Sequence, residues 1–255
     1  MKRDVLKALV LAGVLVVPVI GAPADTLTGL SDDFLGTSVD GSKWNVTYRG
    51  LENSGDAGYN APSVGGGLLT LGGTANNGYW YGTSLESIGT FSSSLPFEIT
   101  VDRVSLSGSG LGFRSSLWIS QDSGPFLHFS QAIGELGWQY NRTSGGMGEN
   151  ISAFDSLDND LGLHKMKLVY LPSGDHEAMI EMYLDGILGA SEYFYDWDHD
   201  NDFRVILTGQ ARDAGDSVTA EFSHLRVTAV PEPGTFGMLG LGLVGAAFFL
   251  RRKSS

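Results

Sequence analysis

Pairs of carboxylates on one face of a strand are the residues in this chain whose type and spacing could break a glycosidic bond. That chemistry sets two acids about 5 to 9 Å apart beside the scissile linkage. The chain offers Glu98 with Asp102, and Glu177, Glu181 with Asp185, each at a spacing of four residues. On a strand rising about 3.3 Å per residue, four positions span about 13 Å, too far for one bond. A pair assembled from separate strands stays open. The sequence contains no Gly-x-Ser-x-Gly elbow, no His-Glu-x-x-His and no phosphate loop. His128, His164 and His224 stand singly and read as structural. The expectation is a protein without catalytic residues, not an enzyme.

A second cluster, Asp196, Asp198, Asp200 and Asp202, repeats an oxygen donor at every other position, a pattern suited to calcium, which takes six to eight hard oxygens. It is not an EF-hand, because Asn201 stands where glycine should turn the loop and Leu207 where the bidentate glutamate belongs. Asp155, Asp158 and Asp160 could add ligands if the fold brings them near. The competing reading is a hydrated loop on an acidic surface.

Aromatic rings suggest a third chemistry, since rings stack on the apolar faces of sugars while polar neighbours hold hydroxyls. Tyr79-Trp80-Tyr81 and Trp138-Gln139-Tyr140 gather rings along their strands, and Trp80 and Trp138 are the candidate carbohydrate contacts. Trp44 and Trp118 read as core. Core packing is the competing reading for all of these rings.

The elements that must position these residues read as strands. Glycine is spread along the chain, 36 in all, and no window holds a helical stripe for three turns. Phe97, Ile99 and Val101 alternate with Glu98, Thr100 and Asp102, as on a half-buried strand. Similar runs lie near 44–49, 67–71, 79–91, 110–120, 126–132, 136–142 and 203–208, giving about eleven or twelve strands. Ala178, Ile180, Met182 and Leu184 share a face before Asp185-Gly186, a two-residue turn, so three antiparallel strands run from His164 to Phe194. The last strand shifts its inward register near Ser223-His224, which predicts a β-bulge. Ser107-Gly108-Ser109-Gly110 reads as a turn. An immunoglobulin-like sandwich is the rival architecture.

The strand opening at His164, the hairpin at Leu184-Asp185-Gly186, the final strand Ala220 to Val227, and Asp32-Asp33-Phe34 with Lys43-Trp44 together resemble the concanavalin A-like lectin/glucanase (LamG-like) jelly roll. The resemblance implies an all-β, antiparallel β-sandwich. Its polysaccharide-cleaving members carry Glu-x-Asp-x-Glu or Glu-x-Asp-x-x-Glu on one strand; this chain has neither motif.

Both ends read as addresses. Lys2, Arg3 and Lys7 precede the apolar run 8–17 and the small residues Ala22-Pro23-Ala24, the pattern of a secretory signal peptide over 1–24. At the other end Val230-Pro231-Glu232-Pro233 is followed by the apolar run 234–250 and then by Arg251, Arg252 and Lys253. As a helix those 17 residues reach about 25 Å, nearly a bilayer's hydrocarbon core, and the basic end favours the cytoplasm. The tail over 230–255 resembles the PEP-CTERM sorting domain, which the membrane peptidase exosortase reads, and the resemblance implies a bacterial exporter that makes exopolysaccharide. An uncleaved anchor is the alternative.

Between these ends, residues 25–229 form one domain flanked by a signal helix and a transmembrane helix. This segment holds ten bases against 27 acids, a net charge of −17 that repels nucleic acid and anionic lipid. With no cysteine, thiol catalysis, thiolate metal sites and disulfides are excluded. The reading as a whole is an exported, non-catalytic cell-surface or matrix protein, carbohydrate-binding or structural, with calcium as the candidate cofactor. Its partners are exosortase, the secretion machinery, the membrane before processing, and a polysaccharide. A polysaccharide-acting glycoside hydrolase is the alternative.

Overall fold

The computed structural model describes residues 28–49, 59–76, 80–121, 126–143, 149–152, 160–173, 177–194, 197 and 201–230. The signal segment and the apolar tail lie outside them. Among the described residues no helix is long and apolar enough to cross a membrane.

Fifteen strands are described: β1 (Gly29–Asp32), β2 (Trp44–Arg49), β3 (Tyr59–Gly65), β4 (Leu68–Thr74), β5 (Tyr81–Ser87), β6 (Phe97–Ser109), β7 (Phe113–Gln121), β8 (Phe126–Ile133), β9 (Gly137–Thr143), β10 (Glu149–Ser152), β11 (His164–Ser173), β12 (Glu177–Leu184), β13 (Ile187–Phe194), β14 (Phe203–Ala211) and β15 (Ser217–Ala229). They form two antiparallel sheets. One runs β13-β12-β11-β6-β15-β4-β3, with β1 added on β15; the other runs β10-β9-β8-β7-β14-β5-β2.

Alternation decides which side chains meet between the sheets, because successive residues of a strand point to opposite faces. On β6 Phe97, Ile99 and Val101 are fully buried, and on β12 so are Ala178, Ile180, Met182 and Leu184. They pack against Leu117 and Ile119 of β7, Leu127 and Phe129 of β8, and Val205 and Leu207 of β14. Phe91, Phe97 and Phe203 meet edge-on or tilted at 5.5 to 5.7 Å, and Trp197 joins them at 6.2 Å from Phe203.

The hairpin β12–β13 turns on Asp185 (φ 51°) and Gly186 (φ 83°), both in the left-handed region that a type I′ turn requires. The bulge at Ser223-His224 is present as well. The register of β15 against β6 shifts between Ser223 and Arg226, and His224 takes φ 51°. Past the bulge β15 exchanges one neighbour for another: its residues 217–222 pair with β4 and 225–228 with β1.

Ser107-Gly108-Ser109 is not a turn. These residues continue β6, paired to Ser217, Val218 and Thr219, and the chain turns at Gly110 with φ 103°. Gly108 is there for close approach, since a Cβ would stand 2.3 Å from the Ser217 carbonyl oxygen and 2.6 Å from the Phe113 ring. Three strands were not expected. They are β1, four residues long; β3, which holds Pro62 and is bulged between Asn60 and Ser63; and the short β10.

Candidate functional site

The face of the seven-stranded sheet that points away from the core carries the unusual residues. On β7 Phe113, Leu117 and Ile119 face inward, so Arg114, Ser116, Trp118 and Ser120 face out. The same alternation turns His128, Ser130 and Phe126 of β8 outward, with Arg204, Ile206, Thr208 and Gln210 of β14 and Ser84 and Glu86 of β5. Its side chains are nearly all buried: Ser84, Ser116, Ser130 and Thr208 are 0% exposed, and His128, Trp80, Arg114 and Trp118 only 2 to 6%.

Register lines these residues up in rows across the strands. Gln139, Ser130, Ser116, Thr208, Ser84 and Thr47 are successive cross-strand partners, five hydroxyl residues spaced by the roughly 4.8 Å between strands. The hydroxyls of Ser130, Ser116, Ser84 and Thr47 are buried without a hydrogen-bond partner, as is Nδ1 of His128. Unmet donors and acceptors of this kind cost about 1–3 kcal/mol each.

A stacked strip runs beside the hydroxyl row. The Arg114 guanidinium lies 4.2 Å from the centroid of the Trp80 ring and 5.9 Å from that of Trp118. Trp118 stacks on His128 at 4.4 Å and tilts against Phe126 at 4.8 Å. A hydrogen-bond chain fixes the strip: Trp118 Nε1 donates to Thr208 Oγ1 (3.3 Å), Arg114 Nε donates to Gln210 Oε1 (2.9 Å), and Gln210 Nε2 donates to the Trp80 carbonyl (3.0 Å). Trp80 itself takes φ 55°, a conformation tryptophan rarely adopts, and its N–H is held by the Arg212 carbonyl at 3.1 Å. Burial, and then the Arg114 charge, push the pKa of His128 well below the usual 6.5, so the ring is neutral at physiological pH.

The residues expected from sequence part company here. Trp80 belongs to the strip. Trp138 does not: it faces the core, 1% exposed, against Phe129 at 5.6 Å, and Arg103 lies over its ring at 5.2 Å. The expected glycan contact at Trp138 is therefore corrected, because neither face of the ring reaches the outer surface. Trp118, expected in the core, is buried but on the outer face. Of the calcium candidates, Asp196, Asp198 and Asp200 lie outside the described residues, and Asp202 Oδ2 accepts from Thr90 Oγ1 at 2.8 Å. Among the described residues no group of three or more His, Asp or Glu side chains could hold a metal ion. Of the sorting residues only Val230 is described, its N–H donating to the Pro96 carbonyl at 2.9 Å; Pro231, Glu232, Pro233, Arg251 and Arg252 lie outside.

The strand carboxylates considered for hydrolysis have other partners. Glu98 pairs with Lys167 at 3.4 Å, Asp102 with His224 at 3.1 Å, and Glu181 accepts from Tyr183 Oη at 2.6 Å. Asp185 Oδ2 lies 2.7 Å from His164 Nδ1. On the outer face, the five strands from β9 to β5 carry Glu86, 3.5 Å from Arg204. The β8–β9 turn at its margin adds Glu135, which accepts from Gln139 Nε2 at 2.7 Å. A separate cavity of about 350 Å³ lies at the β1–β2 loop. Its Asp32 is engaged with Phe34 N–H and Trp44 Nε1, both at 2.8 Å.

Arg114, Ser116, Trp118, His128 and Ser130 were missed as a site by sequence reasoning. Their signal was local: an arginine, serines and a tryptophan recur at every second position of β7, where a doubly covered strand would be apolar.

Comparison with known proteins places both parts of the chain. Residues 229–253 match the PEP-CTERM protein-sorting motif. No curated protein matches. Among solved structures, the chain is similar to an endo-acting O-glycanase of the human gut microbiota that initiates mucin breakdown (16% identity, 79% of this chain and 98% of that one, TM-score 0.59). It is similar to the β-glucanase of Bacillus licheniformis (15% identity, 78% and 97%, TM-score 0.54). A prokaryotic β-1,3-1,4-glucanase (lichenase) from a mouse hindgut metagenome matches at 14% identity over 80% and 100%, TM-score 0.56. These neighbours overturn the expectation that the protein is not an enzyme, since the fold is one on which glycoside hydrolases are built. The chain carries a PEP-CTERM sorting motif behind a jelly-roll sandwich whose fold it shares with these glucanases.

Proposed function

We propose that the protein is exported and sorted through its C-terminal motif, and that it engages a polysaccharide along the outer face of the seven-stranded sheet. One observation carries the reading. A row of five hydroxyl residues, four of them without a partner, lies beside a strip built from Trp80, Arg114, Trp118 and His128. Rings supply stacking on sugar faces and the hydroxyl row supplies orientation, the division of labour expected of a carbohydrate site. The face also suits a neutral glycan, because its arginines and its glutamate are already engaged with one another or with amides.

Hydrolysis at this face is the second reading, favoured by the fold shared with glucanases. It needs two carboxyl groups about 5 to 9 Å apart, and Glu86 is the carboxylate that the strands of this face supply. Calcium at Asp196, Asp198, Asp200 and Asp202 remains part of the proposal as a stabilising ion of the β13–β14 connection.

Affinity electrophoresis of the full chain through gels containing neutral or acidic polysaccharides tests the first reading, with reducing ends assayed in the same samples. Retardation by a neutral glycan, lost in Trp80→Ala and Ser116→Val, is expected. No retardation by any glycan would remove the binding site, and new reducing ends lost in Glu86→Gln would establish hydrolysis.

A further inference from the structure

Four buried polar atoms between the two sheets also lack a hydrogen-bond partner: Arg103 Nε, Ser115 Oγ, Gln131 Oε1 and Trp138 Nε1. The strand registers place their residues together. Ser115 is the cross-strand partner of Gln131, and Gln131 of Trp138, so the three stand side by side across β7, β8 and β9. Arg103 reaches in from β6 of the facing sheet, its guanidinium 5.2 Å from the centroid of the Trp138 ring. All four residues are at most 1% exposed.

The partners these residues do have fix their orientation. The main-chain carbonyl of Asp160 accepts from Arg103 Nη2 at 3.1 Å and from Gln131 Nε2 at 3.0 Å, and lies 3.2 Å from His164 Nε2. Arg103 Nη1 donates to the Leu161 carbonyl at 3.3 Å. Because Nε2 of Gln131 must face a carbonyl, its Oε1 is the atom left over, and the amide cannot be reversed without opposing two oxygens. The patch therefore presents two N–H donors, one acceptor and one hydroxyl that serves either way.

We propose that this patch is a built interior water site, in which one or two ordered waters join Arg103, Ser115, Gln131 and Trp138. Water suits this set because it donates to Gln131 Oε1 while accepting from Trp138 Nε1 or Arg103 Nε, and interior waters characteristically make about three such bonds. An anion would meet the Gln131 oxygen, and a metal cation would meet the guanidinium. The water site ties both sheets to the segment that opens β11, where Asp160 and His164 stand.

Crystals of the full chain diffracting to about 1.8 Å, grown in chloride and also soaked in bromide, test the site. Density within hydrogen-bond distance of at least two of the four atoms, without bromide anomalous signal, is expected. In Gln131→Leu, with unchanged circular dichroism, that density should be lost. A dry patch, a bromide peak, or density unchanged in Gln131→Leu would overturn the proposal.

Discussion

Trp80 holds a backbone conformation that costs a non-glycine residue about 1–3 kcal/mol, and the Gln210 side chain, the Arg212 carbonyl and the Arg114 guanidinium are what hold it. Replacing it with alanine keeps the strained backbone and removes the stacking surface. Trp80→Ala is therefore expected to weaken glycan retardation at least tenfold and to lower stability by about 1–3 kcal/mol, read by urea denaturation. His128 gives a second test at this scale. Its pKa is depressed in the folded protein by burial and by Arg114, so below about pH 6.5 the unfolded chain binds a proton that the folded chain refuses. Stability contributed by the neutral ring is complete above that pH and falls as pH falls. Unfolding free energies from urea denaturation between pH 7.5 and 5 should decline more steeply in the native protein than in His128→Phe, the difference in slope approaching at most about 1.4 kcal/mol per pH unit below the unfolded value. Parallel slopes would show that this histidine titrates freely.

Two glycines separate turn geometry from close approach at the scale of the elements. Gly186 has φ 83° and open space around a would-be Cβ, so Gly186→Ala should cost about 1 kcal/mol through backbone conformation alone. Gly82 on β5 is different, because its Cβ would stand 1.9 Å from the Gly209 carbonyl oxygen and 2.7 Å from the Gln210 side chain. Gly82→Ala should cost several times more and disturb the Gln210 bond to Trp80; equal denaturation midpoints for the two variants would contradict this. The same contrast explains how far the fold could be read in advance. Asp185-Gly186 and the register change at Ser223-His224 leave local marks on the sequence, and the structure has both. Strand β3 leaves little, since Pro62 breaks its pattern and only its pairing to β4 makes it a strand. The outer-face rows were the least legible part. Ser116, Thr208 and Ser84 come from three separate strands, and their alignment is created by register, which no stretch of sequence contains. Trp138 failed for a related reason: alternation puts Trp138 and Gln139 on opposite faces, and only the assembled sandwich says which face is the core.

The sandwich ends where the sorting motif begins. Ala229 is the last residue of β15, paired with Phe97, and Val230 N–H closes the strand on the Pro96 carbonyl. The PEP-CTERM match spans 229–253 and implies export, membrane anchoring and then processing by exosortase. A cut just beyond Val230 removes no strand residue and no described core side chain, so processing and folding are separable. Protein recovered from its native host should therefore show, by mass spectrometry, a C-terminus near Pro233, and its Tm should lie within about 2 °C of that of the unprocessed chain. A residual Ser255 would mean that the apolar run is a permanent anchor. Truncation after Thr228, so that Ala229 and Val230 are lost, should lower the Tm measurably, because the Pro96 and Phe97 pairings go with them.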